Sequence, residues 1–479
     1  MRLFKSWHGL VVAGAITLMA APALANEPTS KEQEMEQRIA ELEAQLENVM
    51  TQMQTNSTSQ TTLESQIAEL QTSMGDGGNG LAAYWNNGIR MDSADKNFKF
   101  KIGGRIMNDY AFFDSNSEAD RVYGSNNFSS GTEMRRARLY VAGTIYGNVG
   151  FKAEYDFGGG DADFKDVYIS LKSNCIGTIT VGHHKEPFGL EQLTSSKYIT
   201  FMERGLPGQL APGRNTGISV ANSMDAGGST WHWRAGVFRD ANSFGDDKGN
   251  MGASEWNATG RLSGQIWADE DEDAALQVGG SFSYRKASDQ IVDSSFKKPL
   301  NDETARVRAA GAQHLAGRLV DTGSFLTDDD AMWWGADAAF VMGPLHAQAE
   351  YLLQDWDTQA GGNADVTAWS AQVGYFLTGE TRNLSAAKAN WDRTSPSENF
   401  DDEDGMGAWE IAARYDGADL TDGGLNGGEI DQWTIGLNWY LNPNTRVMFN
   451  YAKIYVDRLG GTDDEPKIDV LQMRFQIDF

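Results

Sequence analysis

Glu133-Met134-Arg135-Arg136-Ala137-Arg138-Leu139-Tyr140-Val141-Ala142-Gly143 alternates as an extended chain does, with Ala137, Leu139 and Val141 on one face and Arg136, Arg138 and Tyr140 on the other. A soluble sheet turns one face to an apolar core, and two arginines with a tyrosine are poor material for that. The pattern fits a strand whose apolar face meets lipid and whose arginine face lines water, as in a transmembrane β-barrel. The chemistry of the chain is then carried by the inner face.

The two ends agree with that compartment. Arg2 and Lys5 precede an apolar run from Leu10 to Ala21, and Ala23-Leu24-Ala25 is a small-x-small cleavage site, so residues 1–25 read as a secretory signal peptide with the mature chain starting near Asn26. At the other end Leu471, Met473, Phe475, Ile477 and Phe479 alternate with Gln472, Arg474, Gln476 and Asp478. This amphipathic strand with a terminal aromatic resembles the assembly signal of bacterial outer-membrane barrels. The expected location is the bacterial outer membrane, with its lipid as the first partner.

Composition narrows the alternatives. Beyond the leader no apolar stretch approaches the ~20 residues of a membrane-spanning helix, so only strands could cross a bilayer. Glycine is abundant at 53 residues, proline scarce at 10 and aromatics reach 11%, a balance suited to strands, turns and interfacial aromatic girdles. The single cysteine, Cys175, excludes an intrachain disulfide and falls in the short Lys172–Gly177 segment between two strand patterns, where it reads as a turn residue. Net charge is −27, and −29 once the two leader cations are gone, which argues against nucleic-acid partners. Much of the acidity is clustered at Asp269–Asp273, Asp328–Asp330, Asp401–Asp404 and Asp463–Glu465, read as solvated turns and loops outside the lumen. His183 and His184 are adjacent on a strand and point to opposite faces, so no metal is expected. Neither a nucleophile elbow nor a phosphate-binding loop is present; the expectation is a channel without cofactor, not an enzyme.

Residues 26–74 form a separate module. One heptad register runs from Met35 to Met74, with Ile39, Leu46, Met53, Ile67 and Met74 at one core position, Leu42, Val49, Leu63 and Leu70 at the other, and Asn56 and Gln60 in the seam. That is the pattern of a periplasmic coiled-coil helix, and it leaves dimer and trimer open. Residues 75–97, opening on Gly75-Asp76-Gly77-Gly78-Asn79-Gly80, read as a flexible Gly-rich linker. Residues 98–479 remain for the barrel. Sixteen alternating segments can be marked out there, joined by connections that alternate short and long, as expected of a 16-stranded antiparallel barrel with periplasmic turns and external loops. One connection, 378–407, falls on the short side of the count and is long: it is either a periplasmic excursion or two miscounted strands.

Alternation places several charged residues inward. Arg105 opposes the apolar face of Phe98, Phe100, Ile102 and Ile106; Arg136 and Arg138 share the face of Tyr140; and Asp166 shares that of Tyr168 and Ser170 against Val167, Ile169 and Leu171. Arg135 has outward parity, so an inward role for it needs a bulge or a position near the strand end. In order along the chain, "FKIGGRIMNDY", "MRRARLYVAG", "FKDVYISLK", "GHHKEPFGLEQLTSSKYITFMER", "APGRNTGISV", "GAWEIAARYDGADL" and "GLNWYLNPNTRVMFNYA" resemble the phosphate-selective porin O and P family. The resemblance implies a homotrimeric channel with a lumen of arginines and lysines that conducts inorganic anions, phosphate and pyrophosphate first. It maps the family's central arginines onto Arg135 and Arg136 and the arginine of the preceding strand onto Arg105. It also implies that the segment between the fifth and sixth strands folds inward and narrows the channel, with Lys185, Lys197, Arg204 and Arg214 as its cations. Asp166 would either accept a hydrogen bond from a protonated phosphate or anchor an arginine. Two other functions stay open: a general porin with weak anion preference, and an envelope tether in which the barrel anchors the coiled coil.

Overall fold

The computed structural model describes residues 38, 40–42, 44–52, 80–124, 126–241, 244–245, 256–269, 271–286, 304–359, 362–401, 403–458 and 465–479, and the chain divides into two units, Met1–Gly80 and Leu81–Phe479. In the first, the described residues between 38 and 52 are helical and exposed, Leu42, Leu46 and Val49 among them. A coiled coil would need a second helix to cover them. The leader at 1–25 and the heptad positions Ile39, Met53, Leu63, Ile67, Leu70 and Met74 lie outside the described residues.

The second unit is a closed antiparallel barrel of sixteen strands: β1 Lys99–Ser115, β2 Gly131–Ile145, β3 Val149–Asp156, β4 Asp163–Ser173, β5 Gly177–Lys185, β6 Arg214–Ala226, β7 Ser229–Arg239, β8 Asn257–Asp269, β9 Ala274–Lys286, β10 Phe325–Met342, β11 Leu345–Thr358, β12 Gly362–Phe376, β13 Ala408–Asp419, β14 Glu429–Asn442, β15 Thr445–Asp457 and β16 Lys467–Asp478. Each pairs with its neighbours in sequence, and β16 closes on β1 in a register running from Ile468 opposite Ser115 to Asp478 opposite Arg105. The two-residue period sets the faces. On β16, Leu471, Phe475 and Ile477 are exposed on the outside, while Gln472, Arg474, Gln476 and Asp478 are buried within.

At one end the connections are short turns, at 146–148, 174–176, 227–228, 271–273, 343–344 and 443–444. Cys175 is exposed in one of them. The β12–β13 connection lies at this same end and is a true excursion, stiffened by a small hairpin that pairs Leu384–Ser385 with Asn390–Trp391; the strand count of sixteen stands. The linker reading of 75–97 is corrected over part of its length. Leu81–Trp85 and Ile89–Ser93 form a hairpin whose second strand pairs with β1, Ile89 opposite Ile102 and Asp92 opposite Lys99. It continues the sheet in line with the end of β16. Its turn needs Gly88, which has φ of +130° and packs so closely on the Ile102 carbonyl that a Cβ would sit 2.8 Å from it.

Three connections fold into the lumen: 186–213 between β5 and β6, the described part of 287–324 between β9 and β10, and 377–407. On the β10–β16 side they fill it. Leu206, Leu210, Val307, Ala309, Leu319 and Val320 from the loops pack with Trp333, Trp356, Val366, Ile430, Ile454 and Val470 from the strands into one dry core. On the β4–β7 side the inward residues Ser170, Thr180, Ser223, His232 and Arg234 stay half-buried or exposed. The lumen is therefore less tightly filled on the β4–β7 side than on the β10–β16 side.

Candidate functional site

The site begins at a register fault in β2. Met107 of β1 lies opposite Arg136, yet the next residue, Asn108, lies opposite Met134, so Arg135 is an extra residue with no partner across the ladder. This is a β-bulge, and it turns two successive side chains to the same side. Met134 stays exposed on the outside while Arg135, Arg136 and Arg138 all point in.

Behind these arginines the wall is a mesh of ion pairs. Glu154, with no exposed surface, accepts from Arg105 at 3.2 Å, from Arg138 at 3.3 Å and from Lys152. Asp156 takes Arg138 Nε at 2.7 Å and the Ala137 backbone N–H at 3.0 Å. Asp166 holds Lys152 at 2.6 Å on one oxygen and Arg214 at 2.7 Å on the other. Arg105 also donates to the hydroxyls of Ser195 and Ser196, at 3.3 and 2.8 Å.

The opposite side of the passage is the inward loop, held by its backbone carbonyls. Gln476 donates to the carbonyl of Lys197, Arg382 to Tyr198, Arg446 to Ile199, Asn438 to Thr200, Arg474 to Met202 and Arg414 to Glu203. Five of these donors stand on β13–β16, and Arg382 comes from the 377–407 excursion. An extended segment without a ladder partner must place its carbonyls somewhere, and here charged and amide side chains receive them. Across the passage Arg135 makes a two-pronged pair with Glu203, at 2.8 and 2.9 Å, and Glu203 also accepts from Arg474 at 2.8 Å. Burial works against the charge of the Glu203 carboxylate, but Arg135 and Arg474 outweigh it and hold its pKa well below the usual range.

Arg136, Lys185 and Arg204 differ from the other cations. Arg136 is 8% exposed, lies in the field of Arg135, Arg138 and Arg204, and its Nε has no acceptor. Lys185 donates to the carbonyls of Gln192, Leu193 and Thr194, and Arg204 to those of Glu191 and Thr194, both meeting at Thr194. Among the described residues none of the three pairs with a carboxylate. Lys197 stands apart, paired with Asp478 at 2.9 Å toward the short-turn end. The nine residues singled out in the sequence thus separate into three cations without a carboxylate partner among the described residues (Arg136, Lys185, Arg204), a braced wall (Arg105, Arg138, Asp166, Arg214), a latch (Arg135) and an outlier (Lys197).

Sequence reasoning missed Lys152, Glu154 and Asp156, although they alternate with Phe151, Ala153 and Tyr155 as openly as the arginines of β2 do. It also missed Glu203 and the carbonyl-holding arginines of β13–β16. No local pattern marks these, because their role exists only once the loop lies against them.

The family model described as Phosphate-selective porin O and P matches residues 100–479. Porin O of Pseudomonas aeruginosa is 28% identical over 422 residues, covering 82% of this chain and 91% of that protein. A protein of Caulobacter vibrioides is 29% identical over 406 residues, covering 82% of this chain and 76% of that one. Among solved structures, an anion-selective porin from Comamonas acidovorans is 14% identical with a TM-score of 0.47, covering 80% of this chain and 100% of that one.

Proposed function

The chain belongs to the phosphate-selective porin O and P family, and from that premise we propose that its outer-membrane barrel is an anion-selective diffusion channel with phosphate and pyrophosphate as preferred solutes. The observation that carries this reading is the trio Arg136, Lys185 and Arg204, cations gathered where β2 and the end of β5 face the inward loop, none of them hydrogen-bonded to a carboxylate among the described residues. An anion entering a narrow passage loses hydration, and fixed cations offset that loss while binding stays weak enough for exit. Planar guanidinium groups suit tetrahedral oxyanions because two N–H bonds can reach two oxygens at once. The braced wall keeps Arg105, Arg138 and Arg214 in place as secondary charges.

The same reading takes Arg105, Arg135, Arg138, Asp166, Lys197 and Arg214 as pore-lining, residues 26–74 as a periplasmic coiled coil and the assembly as a homotrimer. Supporting the coiled coil are the apolar residues Leu42, Leu46 and Val49, exposed on a helix whose described residues are all exposed. The deciding experiment is a reversal-potential measurement on the purified full-length protein in planar bilayers under a potassium chloride gradient, followed by phosphate titration of the chloride current. A potential of the sign for anion passage and a saturable block by phosphate are expected. A cation-selective pore would refute the proposal.

A further inference from the structure

The excursion between β12 and β13 crosses the short-turn end of the lumen as a strap. It is fastened on one side through Ala386, whose carbonyl meets His232 of β7 at 2.6 Å, and on the other through Arg393, which pairs with Asp478 of β16. Between these points Arg382 reaches up to the inward loop. Its guanidinium lies 3.9 Å from the centre of the Trp391 ring, Nη2 donates to the Tyr198 carbonyl at 3.0 Å, and Nη1 is 3.3 Å from Nδ1 of His346 on β11. We propose that Arg382 is a positioning residue for the selectivity of the channel: it sets the loop from the periplasmic side and is itself set by His346. This rests on the anion-channel reading above.

The chemistry follows from one acceptor. Nε2 of His346 is 2.8 Å from a Glu410 oxygen, and the other Glu410 oxygen takes Asn438 at 2.9 Å and Tyr440 at 2.7 Å. With Glu410 ionised, Nε2 carries the proton and Nδ1 is a lone pair facing the Arg382 N–H. Protonating Nδ1 replaces an acceptor with a donor and sets two cations against each other at that distance. The groups facing His346 are Arg382 from the strap and Glu410 from β13, with the rings of Trp391 and Phe376 closing the remainder. Glu410 is held on its other oxygen by Tyr440 and by Asn438, which also takes the Thr200 carbonyl. Arg382 is taken as the movable party, and its departure frees the carbonyl of Tyr198, the neighbour of Lys197 and the start of the segment that leads to Glu203 and Arg204.

The test uses the full-length protein in planar bilayers, with R382Q, R382K and H346Q, each checked for heat-resistant assembly. At about pH 7, R382Q is expected to lower the chloride-to-potassium permeability ratio and weaken phosphate block several-fold. R382K is expected to stay impaired, since an ammonium cannot stack on Trp391 while donating in two directions. Lowering the pH to about 5 should reduce the permeability ratio of wild type and leave H346Q unchanged; chloride is the probe in this arm because its charge does not titrate. Full function in R382Q, full rescue by R382K, or equal pH responses in wild type and H346Q would each overturn the inference. A wild-type channel that passes cations would instead refute the proposed function, whatever Arg382 does.

Discussion

Arg135 and Arg136 are consecutive in sequence and both point inward, yet they do different things. Arg135 is bound to Glu203 through two hydrogen bonds, so its removal should act on the loop; Arg136 hydrogen-bonds no carboxylate among the described residues and its Nε has no acceptor, so its removal should act on the ion. R136A is therefore expected to weaken phosphate block by about tenfold or more, the equivalent of one charge-assisted hydrogen bond, with the thermal unfolding midpoint little changed. R135A leaves Glu203 with Arg474 alone and should lower that midpoint as well as selectivity. Calorimetry and single-channel recording on the same two preparations separate the roles; equal effects on both readouts would contradict the division. The Glu203 carboxyl has a folded pKa below its unfolded one, so its stabilising pair is present above the unfolded pKa, near 4.5, and is lost only as pH falls through the lower folded value. The Arg135–Glu203 latch should accordingly hold down to about pH 5, and loop loosening above that pH must come from another group. From the sequence, the inward direction of Arg105, Arg136 and Arg138 was legible because it follows from period two. Which of them would be free was not, since pairing depends on Glu154, Asp156 and Glu203 arriving from other segments.

At the scale of elements, the barrel was legible and its contents were not. All sixteen strands follow from alternation between turn signals, and the long 377–407 segment was visible as an exception to the count. What alternation cannot tell is where an aperiodic segment goes. The inward loop lies as it does because Gln476, Arg382, Arg446, Asn438, Arg474 and Arg414 take its carbonyls, and those donors are spread over nearly a hundred residues of chain. Arg474 is the sharpest test of that rack. It is fully buried and pairs with Asp109 as well as Glu203, so R474A leaves Glu203 with Arg135 alone, strands the Asp109 carboxylate and is expected to cost about 3–5 kcal/mol. Denaturant unfolding in detergent should show it, together with proteolytic nicking within 186–213 that wild type resists. The hairpin Leu81–Ser93 was legible in retrospect: Asn86-Asn87-Gly88 is a turn signal between two short alternating runs, outweighed by the glycine run that precedes it.

For the whole molecule, the formal charge of −27 and an anion-selective lumen are compatible, because ions respond to the field where the path is narrow and charges beyond about 8 Å are screened at physiological salt. Neutralising Asp269, Asp271, Glu272 and Asp273 at the β8–β9 turn should leave the reversal potential within error of wild type; a large shift would place control of selectivity at the mouth. Deleting residues 31–74 should lower the temperature at which the trimer dissociates in detergent without preventing insertion, since the lipid-facing pattern belongs to the strands. Mass measurement in detergent checks it, and a strictly monomeric or dimeric parent protein would refute the trimer. The exposed turn that carries Cys175 has a practical use. It is the chain's only thiol, and in a porin the short turns face the periplasm, so a bulky membrane-impermeant maleimide added to intact cells should leave it unmodified, whereas permeabilised cells should label fully at one site per protomer. A small anionic thiol reagent added from outside could reach it only through the passage, turning this cysteine into a chemical clock for inward transit.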